Sequence, residues 1–285
     1  METELLQTPT HHYNEELVQN VFDIARENMV KNKQQALILS EERIPATYAL
    51  GGVSYEERMV RLKKVMPEDT TVLMVVRNPV KYLRSYYRYR MAYRGLPIDY
   101  ADFVKYELLK GGRSFLGTTD YCGIANVASK HFSDVKIICF EELVENQMAL
   151  HEALAASGIY ITESLGKENA GLSEAASYHM LNLLREQGNA INGNSFISYE
   201  PCDIYTMEDN SPMFESLFLR EQMRLSAMNT LRNASVRLAQ AQPDVQLDYT
   251  LDAQTEDMFM TFVKSVNQRL AATYGLDLQK YGYDL

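Results

Sequence analysis

The stretch Thr71–Arg90, TVLMVVRNPVKYLRSYYRYR, changes hydrophobic period in its middle and places charge at the change. Thr71–Val76 is a short apolar run rich in β-branched residues and without alternation, the pattern of a strand buried on both faces of a parallel sheet. It is therefore expected to lie centrally, away from a sheet edge. At Arg77 the run stops. Asn78 supplies an N-cap, and Pro79 takes the first helical position, where its missing N–H costs nothing. In the helix that follows, Val80, Leu83, Tyr87 and Met91 recur at intervals of three and four and make a stripe to bury, while Lys81, Arg84, Ser85 and Arg88 share another face. From Arg77 through Arg94 there are six basic residues and no acidic one.

This arrangement sets an arginine at the carboxyl end of a strand and a hydroxyl two turns into the next helix, facing the crevice where open α/β sheets bind ligands. The helix N-terminus adds partial positive charge. A tetrahedral dianion suits such a place. Lys81, Arg84 and Arg88 read as an ordinary solvated helix face. Arg77 differs, because a guanidinium directly after a buried run needs an anion or a carboxylate beside it.

Composition narrows the field. The 285 residues are enough for a large core, and 46% of them are hydrophobic. A net charge of −10 argues against nucleic acid or an anionic membrane as the main partner, so the basic helix reads as a pocket wall. No run approaches the roughly 20 apolar residues of a membrane span. The N-terminus carries no apolar signal-peptide core. Cys122, Cys139 and Cys202 form neither a disulfide framework nor a metal-ligand spacing. The expectation is a cytoplasmic protein without a metal.

Along the chain, His11-His12 precedes a helix traced by Leu17, Val21, Phe22, Ala25 and Met29. Ala36–Leu39 reads as a second apolar strand, ended by Ser40-Glu41-Glu42; simple helix capping is the other reading of those three residues. Ser54 and Glu57 form a capping box for a helix to Met66. Gly111–Thr119 resembles a phosphate cradle, but a helix precedes it where such a loop needs a strand, so it is read as a decoy. Val135–Phe140 is a third buried strand. Strands thus alternate with helices, the mark of a parallel, doubly wound sheet. Beyond lie a helix around Gln147–Ser157, a helix capped by Ser173 and running to Gln187, a long loop Gly188–Pro212, and helices over Phe214–Ala239 and Thr255–Tyr274. The expected organisation is one domain, 1–285, with a sheet core over 36–145 and an all-helical C-terminal part over 173–285 that includes the loop 188–212.

Arg77-Asn78-Pro79 with Ser85 eight positions after the arginine resembles the 3′-phosphate-binding motif of the sulfotransferases. The segments ILSEERI (Ile38–Ile44), DYCGIANVASKHF (Asp120–Phe132), CFEEL (Cys139–Leu143) and the closing YGLDLQKYGY are similar to those of bacterial members, and the likeness spans most of the chain after His11. The resemblance implies an α/β fold with a three-layer parallel sheet of the P-loop-like sulfotransferase type. It implies that Arg77 and Ser85 hold the 3′-phosphate of 3′-phosphoadenosine 5′-phosphosulfate (PAPS). It further implies in-line transfer of a sulfuryl group to a hydroxyl or amine of a small-molecule or glycan acceptor, by positioning and charge stabilisation as in phosphoryl transfer.

One part of the family pattern is missing. Its members carry an N-terminal loop of lysine, glycine and Thr/Ser residues that cradles the 5′-phosphosulfate, whereas this chain has no glycine before Gly51. Three explanations are open: a truncated chain, which the cost of unpaired strand edges favours, a non-catalytic nucleotide-binding or scaffold paralogue, or a subunit completed by a partner. For the general base the candidates are His12, from its position in the resembling sequences, and Glu42, from its place at a strand end.

Overall fold

The computed structural model describes residues 5–6, 8–34, 36–40, 44–45, 53–111, 114–155, 158–160, 171–190 and 212–285. In chain order the principal elements are α1 (Glu15–Lys31), α2 (Tyr55–Val65), β1 (Thr71–Val76), α3 (Pro79–Arg94), α4 (Tyr100–Lys110), α5 (Tyr121–His131), β2 (Asp134–Cys139), α6 (Phe140–Glu145), α7 (Met148–Ala155), α8 (Glu174–Ala190), α9 (Pro212–Ala241) and α10 (Ala253–Tyr274). The chain divides into two compact units, one of Met1–Pro79, Lys110–Gly166 and Met260–Leu285, the other of Val80–Leu109 and Lys167–Phe259.

The first unit is α/β. Its β1 and β2 pair in parallel, in register from Thr71 opposite Asp134 to Val76 opposite Cys139. The Thr71 hydroxyl donates to the Asp134 carboxylate at 2.6 Å and closes the N-terminal end of the pair. Among the described residues the sheet has these two strands alone, so the expected three-layer sheet is not formed by them. Two expectations are corrected here. β1 is not a central strand buried on both faces, since Val75 is 47% exposed. Ala36–Leu39 forms no strand among the described residues, with Ile38 64% exposed and Leu39 resting against the core. A short apolar run satisfies the period of a strand whether or not a neighbour supplies its ladder, and period is all that the run offers.

Two cores hold the first unit. Val18 and Phe22 of α1, Met59, Leu62 and Val65 of α2, and Ala128 and Phe132 of α5 make one. Each large side chain buried there contributes roughly 1.5–3 kcal/mol. The buried stripe of α1 runs through Val18 and Phe22; Leu17, expected on it, is exposed. Val76, Tyr121, Cys122, Cys139, Leu270, Leu278 and Tyr283 make the second core and bring the C-terminal tail against the strand ends. The capping box is as expected on its N-terminal side: the Glu57 N–H donates to the Ser54 hydroxyl at 3.1 Å.

The second unit is helical. Leu83, Tyr87 and Met91 of α3 are fully buried, with Phe103 and Val104 of α4 and Met180 and Leu184 of α8. On the basic face of α3, Lys81 and Arg84 are exposed, as expected, and Arg88 is half-buried. Arg88 pairs with Glu174 at 2.6 Å, and the Arg84 guanidinium lies 4.8 Å from the Tyr249 ring. These two contacts tie α3 to its own unit, with Glu174 and Tyr249 supplying the carboxylate and the π-face.

Asp252 caps α10. It accepts from the Thr255 N–H at 3.0 Å and the Thr255 hydroxyl at 2.8 Å, and it pairs with Lys105 at 3.0 Å. The Thr255 N–H, then Lys105 and the Thr255 hydroxyl, hold its carboxyl well below the usual range. A carboxyl whose folded pKa is depressed lends stability that is complete above its unfolded value near 4 and is lost as pH falls through the folded value. The stability of the second unit is therefore expected to fall as pH drops below about 4. Asp252→Asn should flatten that part of an acid titration followed by circular dichroism, and an unchanged slope would remove Asp252 as its source.

Candidate functional site

The carboxyl end of β1 is a densely tied polar point of the first unit. Val76 ends the strand fully buried. At Arg77 the main chain is held on both sides by one hydroxyl: the Arg77 N–H donates to Tyr121 Oη at 3.3 Å, and that hydroxyl lies 3.0 Å from the Arg77 carbonyl, to which it donates. Tyr121 opens α5, whose N-cap Asp120 accepts from the Gly123 N–H at 3.1 Å and thereby fixes where the phenol sits. The Arg77 side chain is half-buried, its guanidinium 4.8 Å from the centre of the Phe140 ring. Cation and ring attract electrostatically in this geometry.

Asn78 is buried and tied twice more. Its N–H donates to Glu141 Oε1 at 3.1 Å, and its side-chain amide donates to the Gly282 carbonyl at 2.8 Å. The other oxygen of Glu141 accepts from Tyr283 Oη at 2.9 Å. The same hydroxyl lies 3.4 Å from the Val76 carbonyl. Burial, then Glu141, push the Tyr283 phenol far above its ordinary pKa, so it remains a donor throughout the physiological range. Burial and the carboxylates of Glu141 and Glu142 push the Cys139 thiol up to about 11, which leaves it protonated and unreactive at neutral pH. Gly282 has φ of +76°, the left-handed conformation that a residue with a Cβ rarely takes, at the point where its carbonyl meets Asn78.

Two side chains from distant parts of the sequence, Tyr121 and Glu141, thus hold the main chain at Arg77 and Asn78, at a strand end followed by a helix N-terminus. Arg77 stands where the sequence places it. The carboxylate that a guanidinium and a helix start call for is present as Glu141, whose contact is with the Asn78 N–H. Ser85 is half-buried on α3, within the second unit. His12 is exposed in a turn, with its N–H donating to the Pro9 carbonyl at 2.9 Å and its ring 4.2 Å from that of His11. Among the described residues no hydrogen bond or ring contact joins His12 to the Arg77 turn. Glu42 lies outside the described residues.

The segment 114–119 spends its hydroxyls internally. Ser114 accepts from the Gly117 N–H at 3.3 Å, while Thr118 and Thr119 donate to the carbonyls of Phe115 and Leu116 at 2.6 and 2.7 Å. Ser114, Thr118 and Thr119 are all buried, which agrees with reading this stretch as something other than a phosphate cradle. In the second unit an open cleft of about 390 Å³ is lined by Ser173, Ala176, Arg232 and Val236 among others. Its arginine is committed to Tyr93, donating to that hydroxyl at 3.0 Å and stacking 4.2 Å from the ring. No group of His, Cys, Asp and Glu suited to a metal ion occurs among the described residues, and none of their helices is long and apolar enough to cross a membrane.

Sequence reasoning singled out Arg77 but not Tyr121, Glu141 or Tyr283. All three stand in segments that carry the family resemblance, and the acidic pair after an apolar strand was the one local sign that a carboxylate would meet the strand end. Compared with known proteins, the chain matches no family model, no curated protein and no solved structure.

Proposed function

We propose that this chain is a sulfotransferase: it binds PAPS and passes the sulfuryl group to a hydroxyl or amine of a small-molecule or glycan acceptor. The observation that carries the reading is the Arg77 turn, whose main chain is held by Tyr121 at Arg77 and by Glu141 at Asn78, with the Asn78 side chain held by the Gly282 carbonyl, at the end of a strand and the start of a helix. The assignment of Arg77 and Ser85 to the 3′-phosphate rests on their spacing in the sequence, which resembles that of the sulfotransferase motif. In the reaction the acceptor oxygen or nitrogen bonds to sulfur as the bond from sulfur to the bridging phosphate oxygen breaks. Adenosine 3′,5′-bisphosphate leaves with that electron pair, and the acceptor proton goes to a base for which His12 and Glu42 are the candidates. The protein contributes placement and charge.

Titration of the full chain with adenosine 3′,5′-bisphosphate by calorimetry tests the reading. Arg77→Ala should lose about 2 kcal/mol or more of binding free energy, as loss of a charge-assisted contact does, and Ser85→Ala about 1 kcal/mol. Absence of binding by the unaltered chain at millimolar nucleotide would overturn the reading. The lack of any glycine before Gly51, where the resembling sequences carry their phosphosulfate loop, favours a second one, a non-catalytic nucleotide-binding or scaffold paralogue. Binding of the bisphosphate without release of the sulfuryl group from PAPS to any of a panel of phenol, amine and glycan acceptors would select it.

A further inference from the structure

We propose that Glu141 and Tyr283 are positioning residues for the Arg77 turn, so that the C-terminal tail sets the affinity of this turn for a phosphate-bearing nucleotide; the inference rests on the nucleotide reading above. The geometry is specific. Glu141 uses one carboxylate oxygen for the Asn78 N–H and the other for Tyr283, while the neighbouring Gly282 carbonyl takes the Asn78 side-chain amide. Asn78 is therefore held by its main chain and its side chain at once, both times through the tail or through a residue that the tail orients. Since Arg77 is bonded to Asn78 and fixed on its own side by Tyr121, the direction in which the guanidinium leaves the backbone is decided by these contacts. The tail is brought there by Leu278 and Tyr283, both buried in the second core of the first unit. Neither Glu141 nor Tyr283 needs to touch the nucleotide.

A negative charge beside a dianion site repels the ligand, so the proposal separates the geometry of Glu141 from its charge. Glutamine keeps the geometry: its carbonyl accepts from Asn78 N–H, and its amide donates to the Tyr283 oxygen, whose proton then turns to the Val76 carbonyl. Alanine keeps neither contact. Calorimetric titration with adenosine 3′,5′-bisphosphate should therefore show Glu141→Ala binding at least tenfold more weakly than the unaltered chain and Tyr283→Phe about fivefold more weakly, as loss of one buried hydrogen bond does. Glu141→Gln should bind as tightly as the unaltered chain or more tightly. Far-UV circular dichroism at the titration temperature confirms that each variant is folded, and Tyr283→Phe, which keeps the buried ring, carries the test if Glu141→Ala fails to fold. A role confined to stability would lower melting temperatures without this rescue by glutamine. Equal weakening by alanine and glutamine would make the charge itself the requirement and overturn the positioning role. Tyr283→Phe and Glu141→Ala binding like the unaltered chain, with Arg77→Ala defective, would overturn this inference alone, and no binding by the unaltered chain would overturn it together with the nucleotide reading.

Discussion

Replacing Arg58 with alanine is expected to cost the first unit about 3 kcal/mol or more, since each hydrogen bond from a charged group is worth roughly 1.5–3 kcal/mol and a cavity is added. Arg58 is 0% exposed, and its guanidinium donates to the carbonyls of Ile44 at 2.7 Å and Val53 at 2.6 Å. Burial, and then the nearby Arg61, lower its pKa to about 10, so the charge is present but costly at neutral pH. Alanine leaves both carbonyls without these donors and opens a cavity the length of the side chain. Methionine should recover the packing but not the donors, and lysine cannot present a planar fork to two carbonyls. The pH behaviour is part of the expectation. For a base with a depressed folded pKa, the unfolded chain holds more protons only between about 10 and the higher ordinary value of an arginine, and there Arg58 makes stability rise with pH. Below that window the penalty of Arg58→Ala should not vary with pH. Urea unfolding followed by circular dichroism at pH 6 and pH 8 measures it, and a midpoint like that of the unaltered chain would show that the two carbonyls find other donors.

What could be read from the sequence follows from how far apart the interacting residues are. The Ser54–Glu57 cap and the Asn78-Pro79 helix start act within one turn, and both were legible. So was the stripe Val80, Leu83, Tyr87, Met91, of which the last three are fully buried and Val80 half-buried, because the 3.6-residue period belongs to the helix itself. The pairing state of a strand belongs to its neighbours. Val72–Val75 and Ala36–Leu39 both have apolar sequences, yet among the described residues one forms a ladder with β2 and the other forms no strand. The site divides in the same way. Arg77 was marked by its position after an apolar run, whereas its clamps come from 44 residues away in Tyr121, and those of Asn78 from 63 and 204 residues away in Glu141 and Gly282. No periodicity encodes such meetings. The basic face of α3 carries contacts that its sequence does not announce. Lys81 and Arg84 are exposed, as charge on a helix face usually is, but Glu174, remote in sequence, holds Arg88 half-buried, and the ring of Tyr249 lies beside Arg84.

In the second unit the largest single loss is expected at Tyr87, where alanine should cost about 3–5 kcal/mol, as deletion of a large buried aromatic does. Tyr87 is 0% exposed on the buried stripe of α3. Its ring meets Tyr100 edge-on at 5.4 Å and Phe103 at 5.3 Å, within the range in which aromatic pairs gain beyond their buried area. Tyr100 in turn meets Tyr249 at 5.0 Å, and the Tyr249 hydroxyl donates to Glu174, the partner of Arg88. Removing the ring therefore opens a cavity and also loosens the support of the aromatic pair that the Arg84 and Arg88 contacts rest on. The hydroxyl is a separate quantity. It donates to the Ile98 carbonyl at 2.8 Å and bends the chain after α3 back onto the helix. Tyr87→Phe isolates that bond and should cost about 1 kcal/mol, plus whatever the orphaned carbonyl adds. Burial pushes this phenol well above its ordinary pKa, with Asp99 adding to the shift, so it stays a donor up to strongly alkaline pH. The difference between Tyr87→Phe and unaltered protein should accordingly be the same at pH 6 and pH 9. A Tyr87→Ala loss no larger than that of Tyr87→Phe, measured by the same urea titration, would mean that the ring is not the keystone of this unit and that the core closes over its absence.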